Sequence, residues 1–378
     1  MKIGHITHIY KPHNGGIENY IYRLKNYLQN CGHEVTIYTT DLSLGDGGIK
    51  DEDAIYCKTL MSPLRNPFSL ELREKLLSSN EDIYHIHNPW FISSLTAAYV
   101  LKNKPKIMTV HGARVENKNL TIASLNLMYH PFAQYVLKNM DVLMPQGQMD
   151  RQRLLASFNL SPENIITIPN GIELNNFQRN DKVIQDFYNK HNLKPDSFKI
   201  LYVSRIIPEK NPAKLVEAVS KYLREENVEV IMIGGGSEQY INNLKLISDK
   251  RIHILGETSQ AELVAAYHLS NLFVFLGLWE GMPTVILEAM ACGLPILTTP
   301  VAAIPDVVIE GENGFFINIP IDERLLADKI RYFINVVDTQ NMSKKNILKV
   351  QQNYSWDTIG SKILNVYKQT LDRRSHGN

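Results

Sequence analysis

An excess of charge of either sign is missing: 40 Lys and Arg against 39 Asp and Glu leave +1 over 378 residues. That balance excludes the broad basic field with which nucleic-acid-binding proteins gather phosphates, so no nucleic-acid partner is expected. Any phosphate recognition must be local, built from a few placed cations. Cysteine is scarce. Cys31, Cys57 and Cys292 are odd in number and widely spaced, which gives neither a disulfide framework nor a zinc pattern and reads as three reduced thiols in a cytosolic protein. Long hydrophobic runs are missing too: none approaches the roughly 20 residues of a membrane span. The first residues, Met1-Lys2-Ile3-Gly4-His5-Ile6-Thr7, lack the apolar core of a signal peptide and read as a strand. No G-x-G-x-x-G follows that strand, which counts against a dinucleotide dehydrogenase.

What is present is an alternation of short β-rich runs with helical periodicity, the pattern of parallel sheets covered by helices. The length suits two domains of roughly 150–200 residues. Strands are predicted near 2–7, 34–39, 54–59, 82–87, 106–111, 141–144 and 165–168, then near 198–203, 228–233, 251–254, 272–276, 295–298 and 315–317. The pattern breaks between Asn175 and Pro195, a polar stretch with one short helical piece. This places a first domain over 1–178 and a second over 196–354, with a last helix, 355–372, packing back towards the first.

The densest motif is Trp279-Glu280-Gly281-Met282-Pro283-Thr284-Val285-Ile286-Leu287-Glu288-Ala289-Met290-Ala291-Cys292-Gly293-Leu294-Pro295, after the strand ending near Leu276. Glu280 lies in a loop with Gly281, where backbone can approach a ligand closely. Met282, Thr284 and Val285 lead into the next helix, whose unpaired N–H groups and positive dipole end suit a phosphate. Glu288 precedes a small, apolar run, a costly place for an idle carboxylate. One carboxylate can accept from sugar hydroxyls and the other from ribose hydroxyls, although each alone would more often be a surface residue.

A second motif, Leu201-Tyr202-Val203-Ser204-Arg205-Ile206-Ile207-Pro208-Glu209-Lys210-Asn211-Pro212, joins a strand to a helix. Arg205 and Lys210 project from the connecting loop. Two fixed cations there stabilise a leaving diphosphate more in the transition state than in the ground state, Arg bidentately and Lys as a point charge. An arbitrary Arg/Lys pair is otherwise a solvated loop. Gly15 and Gly16 open the helix after the first strand and can face a phosphate, or merely make a turn. His111, in Thr109-Val110-His111-Gly112, can hydrogen-bond a sugar hydroxyl or be structural. Gly234 and Gly256 each follow a strand and can approach a nucleotide. His85 and His87 share one strand face. No third metal ligand can be placed beside them, so packing or cleft lining is expected. Asp51-Glu52-Asp53 has no apolar strand leading into it and reads as a solvated loop, not a metal-holding pair.

The glutamates with seven residues between them, followed by Ala-Met-Ala-Cys-Gly-Leu-Pro, resemble the signature of glycosyltransferase family 4, the retaining transferases of GT-B fold. The resemblance extends over nearly the whole chain and is densest from 200 to 317. It implies an α/β protein of two Rossmann-like domains facing across a central cleft. It implies that Glu280 contacts the donor sugar, Glu288 the ribose, and Arg205 and Lys210 the diphosphate. Gly15 and Gly16 would close over the phosphates, and His111 would be the active-site histidine. Gly277 departs from the family, which often has serine just before the first Glu; a change of shape is expected there. The implied reaction moves a hexose from a UDP- or GDP-linked donor to an acceptor hydroxyl with retention. The donor is a substrate, and neither metal nor other cofactor is expected. Family relatives often build surface polysaccharides or lipid-linked glycans at the cytoplasmic membrane face. A nucleotide-sugar epimerase on the same scaffold is the alternative enzyme, and a non-catalytic nucleotide-sugar-binding subunit the alternative binding protein. Near His111, the cations Lys102, Lys104, Lys106, Arg114 and Lys118 flank an apolar helix from about Leu120. Two readings stay open: a peripheral membrane anchor, or a core helix with a basic rim.

Overall fold

The computed structural model describes residues 1–13, 15–112, 120–278 and 282–376, with the backbone alone at 46, 120–127 and 376. Two compact units form: Met1–Gly171 with Trp356–Asn378, and Ile172–Ser355.

In unit 1, β1 (Lys2–Ile6), β2 (Glu34–Thr40), β3 (Ala54–Cys57), β4 (Ile83–His87), β5 (Lys106–Val110) and β6 (Val142–Pro145) pair in parallel in the order β3-β2-β1-β4-β5-β6. The helices are α1 (Gly16–Asn30), α2 (Leu70–Ser78), α3 (Ile92–Val100), α4 (Leu120–Lys138) and α5 (Gln148–Ser157). A sheet covered on both faces buries every residue of a central strand, so strands read as unbroken apolar runs. β4 is buried throughout yet carries His85 and His87, and those two exceptions become important below. The C-terminal helix, Trp356–His376, belongs to this unit. Its Ile359, Ile363, Val366 and Tyr367 share a core with Tyr20, Ile21, Leu24 and Leu28 of α1. A side chain at Gly360 would meet the Tyr27 ring at 2.4 Å, so glycine is what lets the two helices touch. Residues 165–168, expected as a strand, run beside β6 without forming a named strand: Ile165 bridges to Leu143, and the N–H groups of Ile166 and Ile168 donate to the carbonyls of Leu143 and Pro145.

Unit 2 repeats the plan. Here β7 (Phe198–Val203), β8 (Val228–Ile233), β9 (Ile252–Gly256), β10 (Leu272–Phe275), β11 (Ile296–Thr298) and β12 (Gly314–Phe316) pair in the order β12-β11-β10-β7-β8-β9. Helices α6 (Asp181–Lys190), α7 (Pro212–Glu217), α8 (Glu238–Ile247), α9 (Gln260–Leu269), α10 (Thr284–Ala291), α11 (Ile304–Val307), α12 (Glu323–Asn335) and α13 (Thr339–Asn353) complete it. The units divide after Gly171, not at 178, and the stretch expected as a linker is part of unit 2. The reason is α6: Asn180 caps it by accepting from Val183, and Phe187, 1% exposed, enters the core with Val183 and Ile184 against it. α13 is polar enough to have escaped the periodicity. It is held by buried Asn346, whose Nδ2 donates to the carbonyls of Leu294 and Asn313.

Two readings of charge are corrected. The Asp51-Glu52-Asp53 stretch is not a solvated loop. Lys25 of α1 binds Asp51 at 2.7 Å and Asp53 at 2.9 Å, and the Tyr10 hydroxyl donates to Asp51. A cation from a neighbouring helix is what makes a buried carboxylate tolerable here. Lys106 is not a rim cation. It is buried, and its Nζ donates to the carbonyls of Leu101, Lys102 and Lys104, meeting backbone oxygens left over where α3 ends.

The strand order fixes where ligands can go. In each sheet the order of building reverses once, between β1 and β4 and between β7 and β10. The loops leaving such a pair diverge and leave a crevice at the carboxyl ends of the strands.

Candidate functional site

In unit 2 the loop after β7 carries Arg205, exposed, and Lys210, buried. It is fastened to the loop after β10. Asn211, in left-handed backbone with φ 52°, donates through Nδ2 to the carbonyl of Leu276 at 2.9 Å. The Leu278 N–H donates to the carbonyl of Glu209. The Tyr202 hydroxyl, from within β7, donates to the carbonyl of Lys210 at 3.0 Å. The Lys210 ammonium stands 5.7 Å from the centre of the Phe275 ring. Burial, and then the nearby charge of Arg205, push Lys210 down to about 8. An anion arriving here would oppose both effects, because a nearby negative charge favours the protonated ammonium, as the Glu209 carboxylate already does.

Glu280 and Gly281 lie outside the described residues. Downstream, Met282 is buried, and α10 begins at Thr284 with no side-chain cap among the described residues. The first-turn N–H groups near Thr284 and Val285 are therefore uncapped by any described side chain. Glu288 is half-buried and accepts from the Tyr267 hydroxyl at 2.9 Å. Tyr267 is fully buried on α9; burial and then the Glu288 charge push its hydroxyl well above the ordinary range. The same two causes push the Cys292 thiol up to about 12. Tyr267 escaped the sequence reading because it sits in an apolar stretch of α9, where a tyrosine reads as packing. Gly277 is buried, and its carbonyl accepts from the Thr299 hydroxyl at 2.6 Å.

The glycines have their own explanation. A Cβ on Gly234 would lie 1.9 Å from the Ser204 carbonyl oxygen, and one on Gly236 would lie 2.3 Å from that of Ile206. The Ile206 N–H donates to Gly235, and the Gly234 N–H to Gly256. The run after β8 is glycine because it lies directly against the Arg205 loop and holds it from beneath.

In unit 1, Gly15 is the N-cap of α1 and Gly16 its exposed first residue. The anion on this helix end is the protein's own. The Glu18 carboxylate, 4% exposed, accepts from the backbone of Gly15 and of Glu18, while burial pushes its pKa up. His111 follows β5 and is half-buried. Its Nε2 lies 3.2 Å from His87 Nδ1, and the Tyr20 ring meets it edge-on at 4.9 Å. Burial pushes His111 down to about 3, against a hydrogen bond to Gln146 that acts the other way. The third histidine that the sequence could not supply beside His85 and His87 is His5. The ring nitrogens of all three fall within 4.8 Å of one another. Arg205, Lys210 and Glu288 thus belong to the loops and helix around the unit 2 crevice, while His111, Gly15 and Gly16 belong to unit 1.

Comparison with known proteins accounts for both units. Residues 14–176 match the family model Glycosyltransferase Family 4, and residues 183–350 match Glycosyl transferases group 1. The capsular polysaccharide biosynthesis glycosyltransferase CapM of Staphylococcus aureus is 27% identical over 82% of this chain and 84% of its own. The alpha-monoglucosyldiacylglycerol synthase of Acholeplasma laidlawii is 26% identical over 84% of this chain and 85% of its own. Among solved structures, Anabaena HepE in complex with UDP superposes with a TM-score of 0.79 at 17% identity, covering 98% of this chain and all of that one. Two parallel six-stranded units of this topology, each matched by its own transferase model, make this chain a glycosyltransferase of family 4 and group 1, with the GT-B fold.

Proposed function

We propose that unit 2 binds a UDP- or GDP-linked hexose and that the enzyme transfers the sugar, with retention, to a hydroxyl of a glycan or lipid-linked acceptor. The observation that carries this reading is the buried Lys210 beside exposed Arg205 at the β7–β10 crevice. Arg205 and Lys210 hold the diphosphate, the N-terminus of α10 receives a phosphate oxygen, and Glu288, oriented by Tyr267, accepts from the ribose hydroxyls. Glu280 contacts the sugar, and His111 hydrogen-bonds a sugar hydroxyl. As the bond from the anomeric carbon to phosphate breaks, the acceptor oxygen bonds that carbon from the same face. Its proton passes to the departing phosphate oxygen. The cations neutralise the charge that develops, so the step needs no metal. That HepE is a complex with UDP favours a uridine donor.

A panel of nucleotide sugars scored by thermal shift tests the donor. A ligand at 100 times its dissociation constant adds about 2.7 kcal/mol of stability. One UDP- or GDP-hexose should raise the melting temperature by several degrees in excess EDTA, and turnover with that donor should persist there. A panel without any shift, or turnover that EDTA abolishes, contradicts the proposal.

We place the acceptor at unit 1, at the cytoplasmic membrane face. CapM is named for capsular polysaccharide, and the Acholeplasma relative for a glycolipid. Beside its buried residues Ala133, Val136 and Leu137, α4 carries a second apolar stripe of Met128, Phe132 and Tyr135, with Met128 72% exposed. Tyr99 is exposed on α3, and Lys102 and Lys138 lie at the ends of α3 and α4. Arg114 and Lys118 lie outside the described residues. No described helix is long and apolar enough to cross a membrane; the contact proposed is a peripheral one through this stripe. Each cation near an anionic surface adds about 1 kcal/mol. The enzyme should co-sediment with anionic vesicles at low salt, and Met128→Ser with Phe132→Ser should release it. A wild-type enzyme that stays in the supernatant would make the acceptor a soluble glycan.

A further inference from the structure

Unit 1 contains a chain of histidines drawn from three adjacent strands. His5 on β1 stands opposite His85 on β4, and His87, two residues on, stands opposite Thr109 of β5. His111 follows β5 at the next same-face position, because side chains repeat every second residue. His5 Nδ1 lies 2.9 Å from His87 Nε2, and His87 Nδ1 lies 3.2 Å from His111 Nε2. His85 stacks on His87 with ring centres 4.4 Å apart. Its own nitrogens are taken by the hydroxyls of Tyr367 and Thr109, both at 2.7 Å.

His5, His85 and His87 have no solvent exposure. Burial pushes His5 and His111 down to about 3. Burial and then the neighbouring imidazoles push His85 and His87 well below the ordinary value. All four rings are therefore neutral, with one N–H each.

A neutral chain has two proton arrangements. In the first, His5 Nδ1–H donates to His87 Nε2 and His87 Nδ1–H donates to His111 Nε2, so His111 carries its proton on Nδ1. In the second, every proton shifts. His111 Nε2–H then donates inward, and His5 is left with a proton on Nε2. Among the described residues His5 Nε2 has no partner. A buried N–H without an acceptor is rarer in proteins than a buried acceptor without a donor, which selects the first arrangement. The hydrogen bond between His111 and Gln146 favours the protonated ring, as an accepting carbonyl oxygen does. The first arrangement supplies Nδ1–H for it.

We infer that His5 and His87 are positioning residues that hold His111 as its Nδ1–H tautomer, with Nε2 engaged inward. The proton arrangement stands on the hydrogen-bond geometry together with the neutrality that burial imposes on the four rings; its consequence for turnover rests on the reading of His111 as an active-site group. A His111 held in this way cannot serve as a general base, because its one lone pair already accepts from His87. It can act only as a neutral donor, through the Nδ1–H that Gln146 accepts in the free enzyme and that a sugar hydroxyl would share or take over, which agrees with a reaction in which the departing phosphate takes the acceptor's proton. A metal ion is the competing occupant of the cluster. It would have to displace the His5–His87 hydrogen bond and take His85 from Thr109 or Tyr367, partners that are all uncharged.

The test is a long-range 1H–15N spectrum of histidine-labelled enzyme at neutral pH, with His111 assigned by His111→Gln. The wild type should show His111 protonated at Nδ1, unchanged by EDTA. His5→Leu should convert it to a mixture of tautomers and lower kcat about tenfold or more, with KM little changed. His5→Asn, whose amide can donate from near the Nδ1 position, should keep both tautomer and turnover. A wild-type His111 protonated at Nε2 overturns the inference. So does a His5→Leu enzyme with the wild-type spectrum, or a stoichiometric metal whose removal changes the signals. If His5→Leu does not fold, the wild-type spectrum still decides. Full turnover in His111→Ala would instead remove the active-site reading and leave the tautomer result standing.

Discussion

Arg205→Ala and Lys210→Ala should each lower turnover by about a hundredfold while leaving the unfolding transition near that of the wild type. Arg205 is exposed, so its truncation costs no packing. Lys210 is buried with its pKa lowered to about 8, first by burial and then by Arg205. Removing it takes away a charge that the folded protein holds at a disadvantage. In the proposed reaction each cation meets the diphosphate as it gains charge, so the loss should fall mainly on the transition state. The lowered pKa also sets a pH dependence with a definite sign. The bound diphosphate favours protonated Lys210, whereas free Lys210 gives up its proton through about pH 8. Donor affinity should therefore fall as pH rises above 8, by up to about tenfold per unit, and binding there should take up a proton. A Lys210→Ala enzyme with wild-type turnover would sink the assignment.

The glutamate pair should separate binding from chemistry. Glu288→Gln should weaken nucleotide binding by about tenfold or more, since a charged acceptor for two hydroxyls becomes a neutral one. The wild-type carboxylate is held ready by Tyr267 at 2.9 Å, so Tyr267→Phe should reproduce part of that loss without touching the nucleotide. Glu280→Gln should lower kcat by about a hundredfold with a smaller change in KM, because its proposed contact is with the sugar, whose charge changes most. The measurement is steady-state kinetics with the preferred donor for all three variants. Identical kinetic signatures for Glu280→Gln and Glu288→Gln would refute the division of labour.

Much of this was legible because parallel sheets leave a strong imprint. Buried strands such as β8, Val228–Ile233, are continuous apolar runs, and the functional loops follow them directly. What stayed hidden depends on register or on partners distant in sequence. His5 is an ordinary strand residue until pairing sets it opposite His85. Asp51 is a charged residue in a loop until α1 turns Lys25 onto it. Lys106 belongs to a basic rim until its ammonium is found on three carbonyls. Glu18 is a helical glutamate until its carboxylate is seen folded back on the backbone of Gly15. The Gly234 run shows a second constraint that the sequence did not reveal. Glycine is expected there for a ligand, and packing requires it as well, because a side chain on Gly234 would meet the Ser204 carbonyl. In each case the residue type was visible and the neighbour was not.

In the proposed reaction the β7–β10 crevice of unit 2 holds the donor diphosphate on Arg205 and Lys210. Calorimetric titration of UDP and GDP into wild-type and Lys210→Ala enzyme, in EDTA at pH 7 and pH 9, tests it most directly. One of the two should bind the wild type more tightly at pH 7 than at pH 9. Proton uptake should accompany that binding at pH 9, and the alanine variant should bind weakly and with no such pH dependence. Equal affinity and the same pH profile in both proteins would contradict it.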